Sequence, residues 1–365
     1  MTLTADQIRP LPKISLHDHL DGGLRTATII DLAAQIGWAL PSSSPENLKT
    51  WFYDAASSGS LPRYLETFAH TVAVLQTPEA LTRVAREYVI DLAHDGVVYG
   101  ETRWAPEQHL TRGLTPHDAV EAVRVGLQEG MQRCAEAGHS IVVQQILCSM
   151  RHAEPSTAIA ELVVQHAADG VVGFDIAGAE HGFSASRFAP AYELVLGHGG
   201  HATAHAGEAD GLDSIRSAVH TCGAQRIGHG VRIMDDIILP PDSDPAHARL
   251  GALASELRDR PIPLEICPTS NVQTGICDSI AAHPVATLAA LGFTVTVNCD
   301  NRLQSRTTLT DEFAHLVDAF GYGPAELCRF TLDAARAAFW DNHRIDTLIE
   351  DTIRPAYAEL AARDS

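Results

Sequence analysis

Two histidines, His17 and His19, stand two residues apart in the short run ISLHDH. On a strand both imidazoles would share one face, whereas on a helix they would point nearly opposite ways. Neutral imidazoles that converge on one point suit a borderline divalent metal such as zinc. With 19 histidines in the chain such a pair arises easily by chance, so its weight comes from the rest of the sequence. Other apolar runs end in similar chemistry: His205 and Glu208 in HAGE, His229 in RIGHG, and Asp300 in NCD. Together these residues offer metal ligands and acid–base groups, provided that the fold collects the ends of those runs in one place.

Eight short apolar, β-branched runs are predicted as strands: Ile14–His19, Val97–Trp104, Ser140–Cys148, Val171–Gly178, His201–Glu208, Gln225–Gly230, Pro263–Ser270 and Thr294–Asp300. Several turn polar at their C-terminal ends, as strands buried on both faces do where they emerge. Between them lie amphipathic helical patterns, typified by His117–Gly138, Thr157–Ala168 and Leu212–Cys222. Alternating strands and helices predict an α/β (β/α)₈ TIM barrel ahead of an open doubly wound sheet, with the active site at the C-terminal strand ends.

The connection between the first two strands, about 75 residues, exceeds a single crossover. Its helical patterns, including Thr26–Ala39 and Leu61–Val74, read as an elaboration over the barrel mouth, spanning approximately residues 20–95 of one domain, 1–365. There Trp51, Phe52, Tyr64, Leu65 and Phe68 read first as core of those helices and second as the lining of a lid. Leu239–Pro245, with three prolines and two aspartates, reads as a surface loop.

Composition narrows the function. With 26 basic and 46 acidic side chains the net charge is −20, the wrong sign for a nucleic-acid binder. Apolar residues make up 45% of the chain, enough for a large core. The seven cysteines are scattered without C-x-x-C, which suits reduced thiols in the cytoplasm. No run approaches a membrane span, and the N-terminus has no signal-peptide core. The expected partner is a small molecule, with no nucleic acid and no membrane; oligomeric state is not legible.

The motifs SLHDHLDGGLR (15–25), SLPRYLETF (60–68), FDIAGAE (174–180), HATAHAGE (201–208), RIGHGVRI (226–233), LEICPTSN (264–271) and VTVNCDNRLQS (295–305) follow one another along most of the chain. In this order they resemble the metal-dependent adenosine deaminase family, and specifically its actinobacterial form. The resemblance implies one zinc ion held by His17, His19, His205 and Asp300, with Glu208 and His229 acting on the substrate and the water. It also implies that Asp21 holds the sugar hydroxyl and that the Gly178 backbone meets purine N3. The implied reaction is hydrolytic deamination of adenosine or deoxyadenosine to inosine and ammonia, in purine salvage.

Zinc lowers the pKa of its water from about 15.7 to roughly 7. Attack at C6 then needs a proton on ring nitrogen N1, which a protonated Glu208 could give. His229 either takes a proton or orients the water. Asn301 stands where many family members have an aspartate; its amide is already a donor for N7, an acceptor.

Deamination of adenine, an N6-substituted purine or aminodeoxyfutalosine, and a non-catalytic purine-binding barrel, are the alternatives. A phosphorylated substrate such as AMP fits the negative charge less well. A dinuclear, lysine-bridged amidohydrolase is disfavoured because the only lysines are Lys13 and Lys49.

Overall fold

A computed structural model describes residues 2–240 and 247–364. Its strands run β1 (Lys13–His19), β2 (Val97–Trp104), β3 (Val142–Met150), β4 (Val171–Ala177), β5 (His201–Ala206), β6 (Arg226–His229), β7 (Ile237–Ile238), β8 (Arg249–Leu250), β9 (Leu264–Ile266) and β10 (Val295–Val297). β7 and β8 form a separate antiparallel ribbon. The other eight make one parallel sheet in the order β1-β2-β3-β4-β5-β6-β9-β10.

The sheet closes by a parallel bridge between Asp18 and Asp300. At this seam the His19 amide donates to the Asp300 carbonyl at 2.8 Å and the Asp300 amide to the His17 carbonyl at 2.9 Å. The Asn298 side-chain oxygen accepts from the amides of Leu16 and His17, both at 3.0 Å, so a side chain completes the ladder just below the mouth. The result is the (β/α)₈ barrel that the alternation predicts, and its seam lies between residues predicted to bind metal.

Most strand positions are buried, as expected when helices cover the outer face and side chains fill the interior. The helix Pro116–Glu136 is started by Pro116 and by a capping box in which Thr115 and Asp118 satisfy each other's amides. Gly126 lets it approach the helix Pro78–His94, because a Cβ there would collide with the Thr82 carbonyl. Between β1 and that neighbour lie four more helices, Thr26–Ile36, Pro45–Ala56, Leu61–Glu66 and Phe68–Val74. Among the described residues no helix is long and apolar enough to cross a membrane.

Several strands end earlier than their apolar runs suggest. β4 stops before Gly178, β5 before Gly207 and Glu208, and β10 before Asp300. At Gly178 and Gly207, directly after β4 and β5, the cause is left-handed backbone, φ 96° and 71°; His229 (φ 63°) and Asp300 (φ 60°) are left-handed too but still pair, with Ala206 and Asp18. Left-handed backbone redirects the chain at the mouth, and for His229 and Asp300 it is a sparsely populated conformation for a side-chain-bearing residue. The predicted Leu212–Cys222 helix is α-helical to Arg216 and then widens to a π turn over Ser217–Thr221. The loop predicted at Leu239–Pro245 falls mainly on 241–246, outside the described residues.

Candidate active site

All predicted site residues meet at the C-terminal mouth. His17 and His19 come from β1, His205 from β5 and Asp300 from the seam, and one ligand atom from each lies within 4.8 Å of the others. Asp300 Oδ1 is 3.4 Å from Nε2 of both His17 and His19. His19 Nε2 and His205 Nε2 stand 3.2 Å apart.

Two neutral imidazole lone pairs this close repel unless a cation or a proton lies between them. The Nε2 of His17 is buried without a hydrogen bond, an orphan that a metal would satisfy. Three imidazoles and a carboxylate are also the donor set expected of a zinc-type site. These residues therefore fit a metal. Other groupings that could hold an ion, His17 with His229 and Cys267, and Glu208 with His229 and Asp300, share members with this one and mark the same place.

The ligand set is held from behind by residues that the sequence reading did not single out. His17 Nδ1 donates to Glu265 on β9 at 2.9 Å. His205 Nδ1 lies 3.0 Å from Asp175 on β4, which also accepts from the His205 amide at 3.3 Å. Between the two carboxylates lies the fully buried guanidinium of Arg103 from β2, 2.9 Å from Asp175 and 2.8 Å from Glu265. Burial alone would raise the pKa of both carboxyls. His205 and Arg103 outweigh it at Asp175, and Arg103, Arg226 and His17 at Glu265, so both are held well below the usual range. His17 and His205 thus each present Nε2 inward while Nδ1 faces a carboxylate.

Replacing Asp175 by asparagine is expected to weaken metal affinity about 10–100-fold. Arg103 would keep Glu265, so the folded chain can be assayed by competition with a chelator. Unchanged affinity would show that Asp175 serves the barrel's packing and not the ligand set.

Glu208 sits in a turn fixed by another carboxylate. Glu180 accepts from the amides of Gly207, Glu208, Ala209 and Asp210 at 2.6–3.0 Å, and from the Ser214 hydroxyl. The Glu208 carboxyl is buried, with Oε1 free of any hydrogen bond. Burial first, then the charges of Asp300 and Glu180, push its pKa well above that of an ordinary glutamate. It is set up to keep a proton.

The His229 tautomer follows from a relay. The Val285 amide donates to His283 Nδ1 at 3.0 Å, so in neutral His283 the proton is on Nε2, which donates to Asn271 Oδ1 at 3.1 Å. Asn271 therefore turns its NH₂ to His229 Nδ1, 3.0 Å away. His229 accepts there and carries its proton on Nε2, which faces the mouth 3.7 Å from Glu208 Oε2. Burial pushes the His229 pKa well below its ordinary value, which keeps the ring neutral.

A cavity of about 170 Å³ adjoins these groups. His19, Asp21, Gly178, His205, Glu208, His229, Asp300 and Asn301 line it from the barrel. Leu61, Tyr64, Leu65 and Phe68 line it from the inserted helices. Of the aromatic and apolar residues singled out there, Tyr64, Leu65 and Phe68 thus face the cavity, whereas Phe52 is buried in the core and Trp51 packs against it. Burial raises the Asp21 pKa to about 7. Lys13 is remote from this chemistry, its Nζ donating to the carbonyls of Ile8, Arg9 and Leu11 at 3.0–3.2 Å.

The adenosine deaminase family model matches residues 12–355. Adenosine deaminase 1 of Streptomyces coelicolor is 52% identical over 98% of this chain and 90% of its own length. Adenosine deaminase of Mycobacterium avium is 52% identical over 98% of each chain. Among solved structures, adenine deaminase from Arthrobacter aurescens superposes with a TM-score of 0.80 at 26% identity, covering 97% of this chain and 99% of that one.

Proposed function

The chain belongs to the adenosine deaminase family and is a hydrolytic deaminase, and from that premise we propose that it converts adenosine and deoxyadenosine to their inosine products and ammonia. The observation that carries the reading is the meeting of His17, His19, His205 and Asp300 with a buried, proton-retaining Glu208 at one cavity.

We assign one zinc ion per chain to the three histidines and Asp300. When bound it supplies a water that ionises near neutral pH. The chain's own residues do the rest. Glu208 gives its proton to purine N1, so that negative charge does not build up on the ring as C6 is attacked. His229, with its proton on Nε2, donates to the attacking water and orients it; its Nδ1 is occupied by Asn271, so the role is that of orienter and not of base. Ser270 donates to Asp300 Oδ2 at 2.6 Å and leaves Oδ1 turned to the metal site. Asp21 takes the sugar hydroxyl, the Gly178 backbone meets N3 and Asn301 meets N7. Leu61, Leu65 and Phe68 exclude water above the base.

A neutral nucleoside is favoured over a nucleotide because, among the described residues, no lysine or arginine lines the cavity. The relatives at 52% identity are named for adenosine, whereas the adenine deaminase stands at 26%. Seven unpaired cysteines fit a reducing compartment, in keeping with purine salvage in the cytoplasm.

The test is a spectrophotometric screen of adenosine, deoxyadenosine, adenine, AMP and aminodeoxyfutalosine, with metal content measured on the same sample. The two nucleosides should give the highest kcat/KM. Metal-loaded protein that deaminates none of the five would overturn the reading.

A further inference from the structure

Tyr64 presents a feature that an apolar wall does not require. It lies on the inserted helix Leu61–Glu66, is 1% exposed and lines the cavity. Its hydroxyl oxygen is buried and no hydrogen bond reaches it. Phenylalanine would fill the same volume without a costly unsatisfied hydroxyl. Three polar side chains face that oxygen: Ser270, Asn301 and Ser305.

Two of the three have already committed their hydrogens. Ser270 donates to Asp300 at 2.6 Å and Ser305 to Gln273 at 2.8 Å, so toward Tyr64 they can only accept. Asn301 is different. Its Oδ1 is buried without a partner and pressed against Gly22, where a Cβ would collide with it. With Oδ1 packed against Gly22, in the turn Leu20–Gly22 after β1, the NH₂ of the amide is left to the side where Tyr64 and the cavity lie.

We propose that Tyr64 is a positioning residue for base recognition: its hydroxyl takes one N–H of Asn301, so that the second N–H is aimed at an acceptor on the five-membered ring of the substrate, purine N7. The Tyr64 hydroxyl hydrogen goes on to a serine oxygen, Ser270 or Ser305. Such contacts tighten when the substrate is seated. An aspartate at position 301 would need its own proton to donate to N7. An asparagine has two hydrogens, and a hydroxyl that holds one directs the other. This inference rests on the adenosine reading above.

The experiment uses adenosine and 7-deazaadenosine, which replaces N7 by a carbon and keeps N1, the C6 amine and the ribose. For the wild type, Tyr64→Phe, Asn301→Leu and the double variant, kcat/KM is measured for adenosine and the competitive inhibition constant for 7-deazaadenosine. Tyr64→Phe should lower kcat/KM for adenosine about tenfold and change the inhibition constant by less than about twofold. In the Asn301→Leu background, where kcat/KM for adenosine is already reduced, it should have no further effect. An equal loss for both compounds, no loss for adenosine, or a full loss in the Asn301→Leu background would overturn the proposal while the adenosine reading stands. A wild-type enzyme that does not deaminate adenosine would instead overturn that reading.

Discussion

Glu208→Gln is expected to lower kcat for adenosine by about a thousandfold or more while leaving the metal bound and KM nearly unchanged. A hydrogen bond to purine N1 and a proton for it are separable. Glutamine has almost the shape of a protonated glutamic acid and can still donate an N–H to purine N1, so binding survives. It cannot release that proton, and the ring nitrogen must gain one as C6 becomes tetrahedral. General acid catalysis is typically worth 10²–10⁴-fold, and here the acid has a buried position and is held by its Glu180-fixed turn. Glu208 is outside the ligand set of His17, His19, His205 and Asp300, so metal content per chain should match that of the wild type. Steady-state kinetics with metal analysis on the same protein checks both halves. A kcat within tenfold of the wild type would remove Glu208 as the proton donor, and loss of the metal would move it into the ligand set.

Burial and the neighbouring carboxylates raise the Glu208 pKa, so the acid form persists toward neutral pH, and activity that depends on it falls as pH rises through the raised value. Glutamine has no such titration. The residual activity of Glu208→Gln should therefore lack that alkaline limb.

The sequence exposes what faces the substrate and hides what faces the barrel interior. His17, His19, His205, His229 and Asp300 are legible because polar groups at the ends of apolar runs have no place in a packed core. The barrel is legible for the same reason: runs buried on both faces alternate with amphipathic helices. Asp175 and Glu265 carried a signal too, a carboxylate inside an otherwise apolar strand, which demands a buried partner. That Arg103 supplies it to both could not be read, because the three residues lie on three strands and meet only across the barrel's interior. The Asn271–His283 relay is hidden likewise, since hydrogen-bond direction depends on a backbone amide, that of Val285, in the helix Val285–Ala290. β4 and β5 are read past their ends because a glycine, Gly178 or Gly207, permits left-handed backbone without requiring it, and the left-handed φ of His229 and Asp300 is not written in their side-chain type.

Removing the metal with a chelator is expected to abolish deamination and to lower the melting temperature by several degrees, with both restored by about one equivalent of zinc per chain. Loss of activity follows because Glu208 and His229 act on a ring and a water, and neither can ionise that water near neutral pH. The thermal shift has a separate origin. Without a cation the buried Nε2 of His17 has no partner and the 3.2 Å approach of His19 and His205 nitrogens is repulsive or costs a proton. Binding only the folded state contributes RT ln(1 + [L]/Kd), about 4 kcal/mol when free metal is a thousandfold above Kd. Chains of 150–250 residues move by about 2–4 °C per kcal/mol, and a chain of 365 residues should fall at the low end of that response. Differential scanning calorimetry of chelated and zinc-restored protein, at a fixed free zinc concentration, reads the shift. Glu208→Gln should show the wild-type shift despite its lost turnover, whereas His205→Ala should show little of it, because one removes a proton donor and the other a ligand. If chelated protein keeps full activity, or if saturation needs two equivalents, the single-metal site built on His17, His19, His205 and Asp300 is wrong.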